Sequence, residues 1–159
     1  MSKSLKRVTQ ALIDAGLHSV PAEMPAQTRT AAQAADAIGC AIDQIAKSII
    51  FASADTGVPI LFITAGGQQV DTDRATELAG IPLVRADAAI VRKHTGFAIG
   101  GVAPIGHINP VVSFFDRSLL KFETIYAAAG TPHHIFPISP TDLLKISGAE
   151  VSDFIDTSE

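Results

Sequence analysis

The chain has 159 residues, of which 47% are apolar and 18% charged, and its formal net charge is −4. That length fits one domain with a proper core, and that composition excludes a long disordered part. No apolar run reaches the ~18 residues of a membrane span, the twelve Lys and Arg are scattered, with small clusters only at Lys3–Arg7 and Arg92–Lys93, and not gathered in the basic stripe that grips long nucleic acid, and a single cysteine, Cys40, excludes an internal disulfide or a CxxC pair.

The chain begins MSKSLKRVTQALIDAGL, basic like a secretory leader, but Asp14 interrupts the short apolar run. Leu5, Val8, Leu12 and Ala15 fall on one face, which predicts an amphipathic helix and a cytoplasmic protein. Pro21 and Pro25 block helix around His18–Met24, which reads as extended. Thr30 can cap a helix over Ala31–Ile38 that Gly39 ends, with Cys40 after it as a small buried filler. Gln44–Ser53 and Pro59–Ala65 read as two strands joined by a turn at Asp55-Thr56-Gly57. Asp71 or Asp73 can cap a helix ending near Gly80. A strand at Leu83–Ala86 then leads to a helix capped by Asp87 and running to about His94. Further strands are predicted at Phe97–Val102, Val111–Phe115, Thr124–Ala128 and Ile135–Ile138, and a last helix, Pro140–Ser147, follows Ser139. With no linker, repeat or low-complexity tract, residues 1–159 read as one α+β domain. Its sheet is expected to be mixed and largely antiparallel.

Three places could carry chemistry. Lys47 stands in the apolar run IAKSIIFA, on the face of Ile45, Ile49 and Phe51. A buried ammonium needs an anionic partner, so Lys47 is either an edge-strand lysine that discourages aggregation or a point charge for a phosphate or carboxylate. The segment TGFAIGGVAPIGHINP, Thr95 to Pro110, interleaves four glycines with two prolines. Such a loop can present main-chain N–H and C=O groups to a ligand, or it can be a bulged strand with tight turns. It lacks a GxGxxG dinucleotide pattern. In AAAGTPHHIFPI, His133 and His134 follow a Gly-Thr-Pro turn, and as strand neighbours only one of them can face a given pocket. His107, Asp71 and Asp73 are the other metal-ligating residue types nearby, but none stands at a zinc spacing, so no metal is expected.

These segments, in this order, resemble the YbaK/EbsC family, which includes free-standing trans-editing proteins and the editing domain inserted in bacterial prolyl-tRNA synthetases. The similarity runs from about Thr30 to Leu144, through TAAQAADAIGCAIDQIAKSIIF, VDTDRATELAG, TGFAIGGVAPIGH and AAAGTPHHIF. The resemblance implies a barrel-like version of the mixed sheet with helices packed around it. It also implies hydrolysis of the ester of mischarged aminoacyl-tRNA, with a tRNA for proline carrying a small non-cognate amino acid as the substrate.

The family's lysine matches Lys47, and its GxxxP loop matches Gly100-Gly101-Val102-Ala103-Pro104. Lys47, Gly100, Gly101, Ala103 and Pro104 are thus the implied catalytic set, and Thr30, His107, Gly130 and His133 the implied substrate-binding set. Ala103 stands where related domains have a glycine, and no tyrosine of the cysteine-removing kind lies around His18–Met24. The implied partners are the acceptor end of aminoacyl-tRNA and a prolyl-tRNA synthetase, with no membrane, metal or organic cofactor. An activated ester needs positioning, a polarised water or ribose hydroxyl, and donors for the oxyanion. Lys47 would hold the phosphate near the terminal adenosine and the loop would supply the main-chain groups. Two other readings stay open: a tRNA-end binding module without hydrolysis, and a small-molecule ester or amide hydrolase.

Overall fold

The structure, a computed structural model, describes residues 2–25 and 28–157. Ser2 caps the first helix, α1 (Lys3–Asp14), its hydroxyl accepting from Leu5 N–H at 3.1 Å, and Leu5, Val8 and Leu12 are the buried face. After a short strand β1 (Ala22–Glu23), Thr30 and Gln33 form a capping box at the start of α2 (Ala31–Ile38), and Gly39 ends it in the left-handed region at φ 84°. Both ends follow from local chemistry, because each satisfies main-chain groups that the helix leaves unpaired.

A 3-10 turn (Ile42–Gln44) feeds β2 (Ile45–Ser53), which turns into β3 (Pro59–Ala65). α3 (Thr72–Ala79), capped by Asp71, leads to β4 (Leu83–Arg85), and α4 (Ala88–Thr95), capped by Asp87, follows it. The C-terminal half adds β5 (Val112–Asp116), a second 3-10 turn (Arg117–Lys121), β6 (Ile125–Ala128), β7 (His134–Ile138), α5 (Pro140–Ser147) and β8 (Glu150–Ser152).

The fold is a single α+β domain whose strands run β1-β7-β6-β2-β3-β5-β8, with β4 paired to β2. β1–β7, β2–β3, β2–β4 and β6–β7 pair antiparallel, whereas β2–β6, β3–β5 and β5–β8 pair parallel. Among the described residues no ladder joins β1 to β8, so the sheet's path is open at both ends. Its main core lies under α1 and α4 and contains Val8, Leu61, Ile63, Val91, Phe97 and Phe115. A second cluster, with Phe62, Phe114 and Phe154, fills the opposite face.

The predicted strand at Phe97–Val102 is a loop. Gly96 and Gly100 adopt φ 84° and 94°, outside the extended region, and Gly101 N–H closes a turn onto Ala98 O at 2.9 Å. The stretch is apolar, which is compatible with a strand, but glycines at positive φ interrupt extended backbone.

One irregularity of the sheet positions the candidate site. β3 accompanies β2 from Ala46 to Ala52, but the other edge of β2 is shared: β6 pairs only with Ile45 and Ala46, and β4 only with Phe51–Ser53. Among the described residues no strand therefore pairs with Lys47 to Ile50 on that side. In an antiparallel pair, alternate residues turn their main-chain groups to one neighbour. Ser53 N–H donates to Val58 O at 3.0 Å, so Phe51, Ile49 and Lys47 face β3, and the N–H and C=O of Ser48 and Ile50 face the gap.

Candidate functional site

A cavity of about 260 Å³ opens at this gap. It is lined by Lys47 and Ser48 of β2, by Arg29 and Thr30 just before α2, and by Gly100 and Val102 of the glycine loop. Tyr126, Pro132 and Ile135 complete the lining from β6 and the turn into β7. A second cavity of about 280 Å³ shares Ser48, Gly100 and Val102 and continues past Ile50 and Ile99 to Arg85. The two meet at Gly100, so the loop tip stands over the unpaired edge of β2.

Lys47 is half-buried, and its Nζ donates to Gln68 O at 2.6 Å. The turn that supplies this carbonyl is fixed by Asp43, whose carboxylate accepts from Gly67 N–H at 2.8 Å and Gln68 Nε2 at 3.2 Å. Burial pulls the Lys47 ammonium below the ordinary lysine value, and the negative charge of Asp43 opposes that pull. The arrangement holds a cation at the cavity with its charge incompletely solvated, which suits attraction of an anionic group. Ser48 Oγ, beside it, is buried without a hydrogen-bond partner among the described residues.

The structure brings Lys47, Thr30 and Gly100 to one cavity. The other implied residues do not line it. Gly101 is buried, and a Cβ there would sit 3.1–3.2 Å from the backbone of Thr131 and Pro132, so the loop packs directly on the turn before β7. Ala103 and Pro104 are buried behind the tip. Ala103 O accepts from His107 Nε2 at 2.7 Å, which spends that carbonyl and fixes the proton on Nε2. His107 lies among Ala11, Pro104 and Ile146 in a different cavity, and burial, its largest influence, lowers its pKa. Gly130 packs against Phe97 and Ser4, on the side of α1. His133 is exposed, its N–H donating to Thr131 Oγ1 at 3.2 Å and its carbonyl accepting from Met24 N–H at 2.6 Å. His134 Nδ1 lies 2.7 Å from the Thr131 hydroxyl. Among the described residues no three His, Cys, Asp or Glu side chains cluster as metal ligands. Cys40 is partly buried against the small cluster of Ala34, Ala35 and Ile45, and desolvation raises its thiol pKa.

Sequence reasoning did not single out Arg29, Ser48, Val102, Tyr126 or Ile135 as cavity residues. Ser48 and Val102 are neighbours of residues that it did single out. Tyr126 carried no signal, because its place beside Ile45 depends on a parallel pairing between distant strands.

The profile of the family described as "Aminoacyl-tRNA editing domain" matches residues 25–146. Uncharacterized protein YwhH of Bacillus subtilis (strain 168) is 30% identical over 129 residues, 81% of this chain and 82% of that protein. A crystal structure described as that of "a putative trans-editing enzyme for prolyl tRNA synthetase" is 41% identical, covers 98% of this chain and 99% of its own, and superposes with a TM-score of 0.91. The crystal structure of a hypothetical protein, 29% identical, covers 94% and 99% with a TM-score of 0.84.

Proposed function

The chain belongs to the aminoacyl-tRNA editing domain family, and from that premise we propose that it is a deacylase that hydrolyses the ester bond of mischarged aminoacyl-tRNA. Its substrate in this reading is a tRNA for proline carrying a small non-cognate amino acid, met in the cytoplasm beside a prolyl-tRNA synthetase. The observation that carries the proposal is the meeting of Lys47, Thr30 and Gly100 in one cavity over the unpaired edge of β2.

Each part has a role the chemistry requires. Lys47 attracts a phosphate of the terminal nucleotide as a point charge. Gly100 allows the ribose close to the main chain, since nothing stands within 4 Å of where its Cβ would be. The main chain of Gly100 and Val102, the two loop residues that line the cavity, with that of Ser48 and Ile50 across the gap, offers donors and acceptors for the attacking water and the oxyanion. A cavity of this size admits a small side chain and turns a bulky one away.

The test is single-turnover hydrolysis across a panel of mischarged tRNAs, with free aminoacyl esters and binding of a non-hydrolysable charged tRNA measured in parallel. Turnover of charged tRNA with small amino acids is the expected result. Tight binding without turnover would make the protein a tRNA-end binding module, and turnover of free esters alone would make it a small-molecule hydrolase.

A further inference from the structure

The glycine loop is held from behind by α1, which precedes residues 25–146 of the family match. Arg7 Nη2 donates to Gly96 O at 2.5 Å and its Nε to Gly106 O at 3.3 Å. One guanidinium thus bridges the carbonyls at the two ends of the loop whose tip carries Gly100. The same group lies over the Phe97 ring, 4.8 Å from its centroid, and Phe97 meets the His107 ring edge-on at 5.8 Å. His107 in turn holds Ala103 O. Gly106 passes close to the helix: a Cβ there would lie 3.4 Å from the Arg7 carbonyl carbon and oxygen.

We propose that Arg7 is a positioning residue of the editing reaction, a clamp on α1 that sets the tip of the Gly96–Gly106 loop over the β2 gap. Glycines at φ 84°, 94° and 77° (Gly96, Gly100 and Gly106) leave the loop few intrinsic constraints. Beside Pro104 and the Gly101–Ala98 turn, contacts from outside must therefore set its shape, and Arg7 reaches both ends with a rigid planar fork that lysine cannot reproduce. Arg7 does not line the Lys47 cavity, so it acts on the rate and not on substrate affinity. The inference rests on the deacylase reading for its effect on rate, but not for its effect on the loop.

The experiment compares Arg7→Ala, Arg7→Lys and Leu12→Ala with wild type. Leu12 is buried on the same helix, farther along, in the core cluster that also holds Phe97 and Val102, and its truncation supplies a loss of stability that leaves the Arg7 hydrogen bonds in place. Single-turnover rate, affinity for a non-hydrolysable aminoacyl-minihelix, thermal midpoint and amide exchange at Gly101, the donor of the tip turn, are measured for each. Misplaced reacting groups cost on the order of 10²-fold. Arg7→Ala should therefore lose about 10- to 100-fold in rate with affinity within twofold, and Gly101 should exchange faster. Arg7→Lys, which keeps the charge and one hydrogen bond, should fold normally and fall between. Leu12→Ala should keep its rate at an equal or larger drop in midpoint. An Arg7→Lys rate equal to wild type, or equal rate losses in Arg7→Ala and Leu12→Ala, would overturn the clamp. If wild type hydrolyses no charged tRNA, the deacylase reading fails, and Gly101 exchange alone still decides whether Arg7 holds the loop.

Discussion

Lys47 projects a charge from a strand whose neighbours on that face, Ile49 and Phe51, are packed into the second core cluster. Among the described residues its Nζ has one hydrogen bond, to Gln68 O, so replacing it frees one carbonyl of the turn that Asp43 holds. Lys47→Ala should lower single-turnover deacylation by about 10²-fold or more, the scale of losing one electrostatic partner in an active site. The thermal midpoint should change by only a few degrees, and unchanged activity would remove Lys47 from the site. Its oddity was visible as a cation in an apolar run. Its two meanings, edge guard or ligand, were both open in the sequence; that β6 and β4 leave this stretch of edge bare, beside a cavity, came only from the pairing of distant strands.

His107 supports a prediction about stability. Its pKa is lowered in the fold by burial, so between that value and the unfolded value of ~6.5 the unfolded chain binds more protons. Stability must then rise with pH through that window. The thermal midpoint should drop as pH falls below about 6.5, and His107→Gln should flatten that part of the profile. A wild-type curve that is level there, or a variant with the same slope, would show that His107 is not the titrating group. The sequence marked His107 as a histidine near a glycine loop, but its burial against Ala103 O depends on how the loop folds back.

At the scale of the loop, Gly100 and Gly101 fail for different reasons when a methyl is added. Gly100 has open space around its Cβ position but sits at φ 94°, where side chains are strained, so Gly100→Ala shifts the tip itself. Gly101 is not strained in φ, and a Cβ there would press on the Thr131–Pro132 backbone at 3.1–3.2 Å. Both should reduce turnover more than binding. His133→Ala should cost less, because His133 is exposed and outside the cavity lining. Single-turnover rates beside affinities for a non-hydrolysable analogue decide it. An inactive His133→Ala with near-normal glycine variants would replace the main-chain mechanism with a histidine base, a step typically worth 10²–10⁴-fold. The loop's glycines and prolines were legible from the sequence, but the predicted strand across Phe97–Val102 was not what formed. Apolar character is a weak guide where the residues, Phe97 and Val102, are buried from a loop.

For the whole molecule, net charge −4 leaves few cations to meet RNA, and Lys47, Arg29 and Arg85 are those that line the two joined cavities. The slope of log K against log salt should therefore correspond to about one to three phosphates, at ~0.7 per single-stranded contact. A minihelix with only the acceptor stem should be deacylated nearly as well as full-length tRNA. A steep slope, or an intact minihelix, would reveal a further RNA-binding face. Activity should also survive EDTA, and a loss that zinc restores would assign a metal role to the histidines.

The amino-acid sequence alone determined what local physics controls. Thr30, Asp71, Asp87 and Ser139 each cap a helix with a side-chain oxygen, and Gly39, Gly80, Gly96 and Gly148 each end one in the left-handed region. The β2–β3 hairpin and the editing-domain kinship were equally legible, since both depend on residues close together or in fixed order. Tertiary structure decided the site's composition. The parallel pairing of β2 with β6, some eighty residues apart, ends after two residues and so opens the gap. The reach of Arg7 across 89 and 99 residues shapes the loop. Such contacts depend on chain closure over long separations, and no local pattern in the residues that make them records where the partner is.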